Sequence, residues 1–267
     1  NYFSSNFKLG ILGGGQLGKM LLAETRKFDI QTHVLDPSDE SPCKIACNHF
    51  SIGDLTDFET VYNFGKQVNV LTFEIELVNV EALEKLESEG IKVYPSSETL
   101  RKIQNKGIQK DFYKSNKIPT ADYERFSGKI ALKVKVEKNQ IQLPFVWKCT
   151  EFGYDGNGVK IIRKSSDLDS LPNVECIAEE MIPFKKELAV IVCRNVSGEI
   201  KTYPVVEMEF HPEANQVEYV ICPARIEESV AEKARAIALT LSVKFEHVGL
   251  LAVEMFQTED NQLLVNE

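Results

Sequence analysis

The apolar run 9–12 ends directly on Gly13-Gly14-Gly15-Gln16-Leu17-Gly18, and Met20, Leu21, Leu22 and Ala23 follow in helical fashion. A strand that enters a helix through a tight glycine turn is the opening unit of a parallel, doubly wound sheet. Glycines let the backbone fold sharply there and approach a phosphate or another segment closely. The alternation continues: 31–35 reads as a second strand ending at Asp36-Pro37, 68–73 as a buried strand, 80–89 as a helix with its charges outward, and 92–94 as a strand stopped by Pro95. Strands and helices alternating at this length predict an α/β first third built on a parallel sheet.

Ser96-Ser97-Glu98 caps a helix carrying Leu100 and Ile103, and 106–115 forms a second helix ahead of Ile118-Pro119. Beyond it the pattern changes. Residues 130–136, 145–150, 159–162, 187–193 and 202–210 read as strands, 230–241 as an amphipathic helix, and 250–256 with 262–265 as a closing hairpin. The expected organisation is therefore α/β followed by mixed α+β, with the boundary between Pro95 and Pro119.

A chain of 267 residues has room for one or two cores. Its net charge of −9 excludes bulk nucleic acid and anionic membrane surfaces as expected partners, because their phosphates call for a basic face. No apolar run approaches the roughly 18 residues of a membrane helix. The start, Asn1 to Lys8, lacks the apolar core of a signal peptide, so a cytoplasmic location is expected. Six cysteines with no C-x-x-C pair read as reduced thiols, and Cys43, Cys47 and His49 make too short a cluster to support zinc.

Four features carry chemistry. Gly13-x-Gly15-x-x-Gly18 with Asp36 at the end of the second strand matches a dinucleotide turn with its ribose acid, a pattern shared with many other α/β domains. Lys148 precedes Gly153-Tyr154-Asp155-Gly156-Asn157-Gly158, a glycine-rich hairpin able to fold over a triphosphate; an ordinary hairpin with Lys148 solvated is the competing reading. Glu179-Glu180-Met181-Ile182 and Glu187 suit a linker that reads an adenine edge and a ribose, or else a surface strand whose acids pair with Lys185 and Lys186. Glu254 and Glu267 face each other if Asp260-Asn261 is a two-residue turn, with Ala252 and Val265 on the acids' own face. Opposed carboxylates repel. A divalent cation between them reverses that sign, and oxygen-only donors favour Mg²⁺ or Mn²⁺. A solvated acidic hairpin is the alternative.

Together these segments resemble the ATP-grasp superfamily and, within it, the 5-(carboxyamino)imidazole ribonucleotide synthetase family. The resemblance is carried by GILGGGQLGKML, VYPSSETLRKIQNK, KSNKIPTADY, FVWKCTEFGYDGNGV, VGLLAVEMF and LLVNE, which run in the family's order over nearly the whole chain. It implies an ATP-grasp fold with an N-terminal doubly wound parallel-sheet domain (1–110), a small lid domain (111–178) and a metal-bearing mixed domain (179–267) that is incomplete, the family continuing past Glu267. It implies ATP- and bicarbonate-dependent carboxylation of 5-aminoimidazole ribonucleotide through carboxyphosphate by a homodimer. Lys106 and Lys148 then touch phosphates, and Gly153 to Gly158 form the lid loop. Glu179, Glu180, Met181 and Ile182 line the adenine, Glu187 holds the ribose, and Glu254 and Glu267 bind Mg²⁺. Asn266 and His211 are further nucleotide candidates. Gln16, Tyr154 and Asp155 are candidates for the ribonucleotide, with Lys148 and Asp155 as the catalytic pair. Two departures stand out: Lys106 replaces a frequent Arg, so a bidentate grip becomes a point charge, and Leu77 replaces a common Asn. The rivals are a NAD-binding oxidoreductase, a non-catalytic nucleotide-binding subunit and another ATP-grasp carboxylase or ligase.

Overall fold

Short runs of aliphatic residues at Lys8–Leu12 (β1), Gln31–Asp36 (β2), His49–Ile52 (β3), Val70–Phe73 (β4) and Lys92–Val93 (β5) pair in parallel in the order β3-β2-β1-β4-β5. They belong to the first of two compact units, Asn1–Arg101 and Lys102–Glu267, of a computed structural model that describes residues 4–151, 158–211 and 217–267. Helices α1 (Gln16–Thr25), α2 (Phe58–Gly65) and α3 (Val80–Ser88) connect the strands. Asp57 and Asn79 start α2 and α3 by accepting from the amides of Thr60 and Ala82, both at 2.8 Å. Leu12, Val61, Leu71, Leu83 and Leu86 fill one shared core. Helix α4 (Ser97–Gln104) follows β5.

The first helix lying wholly in the second unit is α5 (Lys106–Ser115), whose bounds equal those read from the sequence. Strands β6 (Tyr123–Phe126), β7 (Phe145–Cys149), β8 (Val159–Ile162) and β9 (Cys176–Glu180) form an antiparallel sheet in the order β6-β9-β7-β8. The period of two sends Phe145, Trp147, Cys149, Cys176 and Ala178 into one core and leaves Lys148 and Glu179 on the opposite face. Residues 130–136, expected as a strand, are instead part of helix α6 (Lys129–Glu137). The alternating Ile130, Leu132, Val134 and Val136 fit either period. The fold buries only Leu132 and Val136, four apart on one helical face, and leaves Ile130 and Val134 exposed.

A second antiparallel sheet runs β13-β12-β10-β14-β15, with β11 also on β10; its strands are β10 (Phe184–Arg194), β11 (Ile200–Thr202), β12 (Val206–Phe210), β13 (Val217–Ile221), β14 (Gly249–Thr258) and β15 (Leu263–Val265). Pro204, unable to donate to a ladder, lies between β11 and β12, where one strand over 202–210 was expected. Helix α7 (Glu228–Phe245) covers one face of this sheet, packing Val230, Ala234, Ala238 and Leu241 against Leu188, Val190, Val253 and Met255. The other face carries Glu187 and Glu254.

The closing hairpin differs from expectation by one residue. Its loop is Glu259-Asp260-Asn261, with Thr258 and Gln262 closing it at 3.0 Å and Asn261 in the left-handed region at φ 62°. Asn tolerates that conformation, which a three-residue loop requires. Met255 therefore faces Val265, and Val265 lies in the α7 core rather than beside the acids. Beyond Val265 the ladder slips. Asn266 donates to the Glu254 carbonyl at 2.9 Å, while the Glu254 amide donates to the Glu267 carbonyl at 2.8 Å. This bulge-like step sets two residues against one and returns Glu267 to a position opposite Glu254.

The glycine turn supplies a test of this packing. Gly13 has φ +92°, and a Cβ there would lie 2.7 Å from Glu74 Oε1. Gly13→Ala is expected to cost roughly 1–3 kcal/mol, read as a lower urea midpoint by circular dichroism.

Candidate functional site

The glycine turn in the first unit has its own anions. Gly14 donates its N–H to Asp36 Oδ2 at 2.7 Å, and Gly15 and Gly18 donate to the two carboxylate oxygens of Glu74 at 2.9 and 3.3 Å. Helix α1 has no acidic residue in its first turn, so Glu74, just past β4, supplies the negative charge its N-terminus favours. The amides that a dinucleotide pyrophosphate would use are taken, and Asp36, the expected ribose acid, also accepts from the Ser38 amide at 2.8 Å. The nicotinamide reading fails on these contacts. Cys43 is buried with Sγ 3.7 Å from the Gly15 carbonyl oxygen, and burial raises its pKa to about 11, with Glu74 the second cause. Gln16 is exposed as the first residue of α1.

In the second unit the predicted residues converge. Lys148, on the polar face of β7, lies 2.6 Å from Glu179 Oε2 and donates to Asn266 Oδ1 at 2.9 Å. Glu179 is 3% exposed and its other oxygen pairs with Lys110. Burial would raise the pKa of Glu179; Lys148 and Lys110 together overcome that and hold it below the usual value. Neither Lys185 nor Lys186 serves it. Lys185 bonds Asn261 at 2.6 Å, and Lys186 pairs with the buried Glu207 at 2.6 Å.

Lys106 opens α5, where Asn105 caps the helix by accepting from the Ile108 amide at 3.0 Å. The Lys106 amide bonds the Thr150 carbonyl at 2.8 Å and its ammonium pairs with Glu267. Glu254 is held protonated to higher pH, first by burial and then by the charge of Glu267. Glu187, diagonal to Glu254 across the β10–β14 ladder, is pushed up to about 7 by burial and by Glu254, against the pull of Lys148. Three ammonium groups thus meet four carboxylates in one partly dry space, an arrangement able to take a polyanion and its cations together.

The remaining candidates are less central. Glu180 is the exposed last residue of β9, because the strand alternates and Glu179 has taken the inner face. Met181 is half-buried, and Ile182 borders, with Leu264, Thr120 and Pro183, a cavity of about 490 Å³. His211 is exposed just past β12. Gly158 has φ 78° and its carbonyl accepts from Cys149 at 2.8 Å. Gly153, Tyr154, Asp155, Gly156 and Asn157 lie outside the described residues. Lys110 was missed. Its signal was present, four residues after Lys106 and so on the same face of α5, but no motif marked it.

A divalent ion fits the chemistry of the acid pair. Glu254 and Glu267 offer hard oxygens, and burial together with the charge of Glu267 disfavours the ionised form of Glu254, a cost that a cation would offset. Among the described residues no three His, Cys, Asp or Glu side chains gather as a metal-holding group.

Residues 111–267 match the family described as the ATP-grasp domain, and residues 7–104 the ribonucleotide synthetase preATP-grasp domain. The N5-carboxyaminoimidazole ribonucleotide synthase of Bacillus subtilis (strain 168) is 35% identical over 263 residues, covering 97% of this chain and 68% of that protein. The chain spans less than half, 46%, of the phosphoribosylaminoimidazole carboxylase of Candida albicans, at 34% identity. The crystal structure of N5-carboxyaminoimidazole ribonucleotide synthetase from Thermotoga maritima matches with a TM-score of 0.86 at 38% identity, over 98% of this chain and 68% of that one. The N5-carboxyaminoimidazole synthase from Aspergillus clavatus, in complex with ADP and 5-aminoimidazole ribonucleotide, matches at 0.89 and 32%, over 100% and 70%. The fold is the ATP-grasp fold, and the chain belongs to the N5-carboxyaminoimidazole ribonucleotide synthase family.

Proposed function

We propose that the protein carries out the ATP- and bicarbonate-dependent carboxylation of 5-aminoimidazole ribonucleotide in purine biosynthesis. The observation that carries this reading is the cluster of Lys106, Lys148, Glu179, Glu187, Glu254 and Glu267 on the facing surfaces of α5 and the two antiparallel sheets, in a chain whose relative from A. clavatus is in complex with ADP and 5-aminoimidazole ribonucleotide. In this chemistry bicarbonate oxygen attacks the γ-phosphorus and ADP leaves, giving carboxyphosphate. The exocyclic amine then attacks the carboxyl carbon, phosphate departs and the amine gives up a proton. Lys148 and Lys106 bind the phosphates as point charges. Lys106 is paired with Glu267, so a cation held by Glu267 would free its ammonium for phosphate. Glu254 and Glu267 would hold Mg²⁺ or Mn²⁺, which supplies charge neutralisation on the terminal phosphates.

In the same reading residues 1–110 are the ribonucleotide-binding domain with Gln16, 111–178 the lid with Tyr154 and Asp155, and 179–267 the metal- and nucleotide-bearing domain. Asn266, anchored to Lys148, serves the nucleotide, as do Glu180, Met181, Ile182 and His211 at its margin. A cytoplasmic homodimer is proposed on the family resemblance alone. The testing experiment is ADP release with bicarbonate, with and without 5-aminoimidazole ribonucleotide; release that ignores both would overturn the reading.

Three outcomes follow from the site. Lys148→Ala removes a charge-assisted contact that contributes roughly 1.5–3 kcal/mol, so MgADP affinity measured by calorimetry should fall about 10- to 150-fold. Glu254→Gln keeps the shape and removes a repelling charge. The ligand-free protein should melt no lower than wild type, while turnover at limiting Mg²⁺ disappears. Glu187→Gln separates by pH. An unfolded Glu releases its proton near its ordinary value, whereas folded Glu187 keeps it to about 7. Between those points the folded state binds more protons, so ionised Glu187 destabilises increasingly as pH rises. The Gln variant should therefore raise the melting temperature at pH 8 but not at pH 4.5. The expected gain is on the order of 1 kcal/mol after allowing for the solvent that still reaches the group, or about 2–4 °C; an equal gain at both pH values would refute it.

A further inference from the structure

Lys110 is the largest fully buried side chain among the described residues, at 1% exposed. Its ammonium is enclosed by protein groups. Its Nζ ion-pairs with Oε1 of Glu179 and donates to Thr120 Oγ1 at 2.6 Å. Thr120 in turn donates to the Val265 carbonyl at 2.7 Å, one residue before Asn266 and two before Glu267. Oε2 of Glu179 lies 2.6 Å from Lys148, whose ammonium also reaches Asn266 Oδ1. One buried ammonium is thus bonded directly to the carboxylate that holds Lys148 and, through Thr120, to the hairpin that carries Asn266 and Glu267.

We infer that Lys110 is a positioning residue for nucleotide binding: by occupying Oε1 of Glu179 it leaves only Oε2 for Lys148, and so fixes the Lys148 ammonium at the phosphate site. The inference rests on the proposed contact between Lys148 and phosphate. A carboxylate this deeply buried needs its charge matched. With Lys110 removed, Glu179 either turns both oxygens onto Lys148, withdrawing it from phosphate, or takes up a proton and stops orienting it. In addition, buried ion pairs seldom add stability over apolar residues of the same volume. Burial also pulls Lys110 down to about 8, against the opposing charge of Glu179, so the charge is kept in a place where an apolar side chain would be easier to bury.

The test is a double-mutant cycle on MgADP affinity, by calorimetry on the purified protein, with Lys110→Met, Lys148→Ala and the two combined. Lys110→Met matches the length of the lysine stem. It should weaken MgADP roughly tenfold, the low end for a charge-assisted contact, with the circular dichroism spectrum unchanged. The combined variant should bind no more weakly than Lys148→Ala alone. Wild-type affinity in Lys110→Met overturns the inference, as do losses that simply add, since Lys110 then acts independently of Lys148. Unchanged affinity in Lys148→Ala alone overturns the nucleotide reading of Lys148 itself, and the inference with it, and is distinguishable because it does not involve Lys110. If Lys110→Met does not fold, Lys110→Met with Glu179→Gln removes the orphaned charge. That protein should fold and still bind MgADP several-fold more weakly than wild type, and wild-type affinity in it overturns the inference.

Discussion

Glu179 is a carboxylate withdrawn from water, and the second unit is organised around meeting its charge. A lone carboxylate in that position would take up a proton; two ammonium groups, one on each oxygen, keep it ionised. Supplying them commits three elements at once. β9 must present Glu179 on its inner face, β7 must present Lys148 on the same face, and α5 must lie close enough for Lys110. The hairpin joins through Thr120 and Asn266. The charge balance of the site is therefore a property of the fold.

The same constraint explains the first unit, with the sign reversed. There the unpaired groups are backbone amides at a glycine turn and at the start of α1, and the protein answers with Asp36 and Glu74. A turn that reads as a phosphate cradle is filled from within. Glycine spacing records where the backbone bends and how closely something approaches, but not whether that something is a ligand or another part of the chain. Glu74 lies 59 residues from Gly15, beyond the reach of any local pattern.

The acid pair shows how a correct pairing arises from an incorrect register. Opposition of Glu254 and Glu267 follows from a two-residue turn; the loop has three residues, and the bulge at Asn266 restores the opposition. The compensation also separates the functions of the strand. Val265 and Leu263 stay in the α7 core while Asn266 and Glu267 move to the polar face. Side-chain period fixes which residues share a face, whereas turn conformation fixes what stands opposite.

The sequence by itself determined the alternating α/β opening, the bounds of α5 and β8, the closing hairpin, and the residues Lys148, Glu179, Glu187, Glu254 and Glu267 that come together, while Lys106 and Asn266 entered only through the family resemblance. These are legible because helical and strand periods are local, and because charged residues inside apolar strands are costly enough to mark themselves. Tertiary structure alone decided that residues 130–136 are helical, that Glu179 is served by Lys110 rather than by Lys185 or Lys186, and that the glycine turn is closed by Glu74. Each of these depends on which distant surface covers a residue. Lys106 and Glu267 form one ion pair across 161 positions of sequence, and only the packing of α5 against the two sheets brings them within reach.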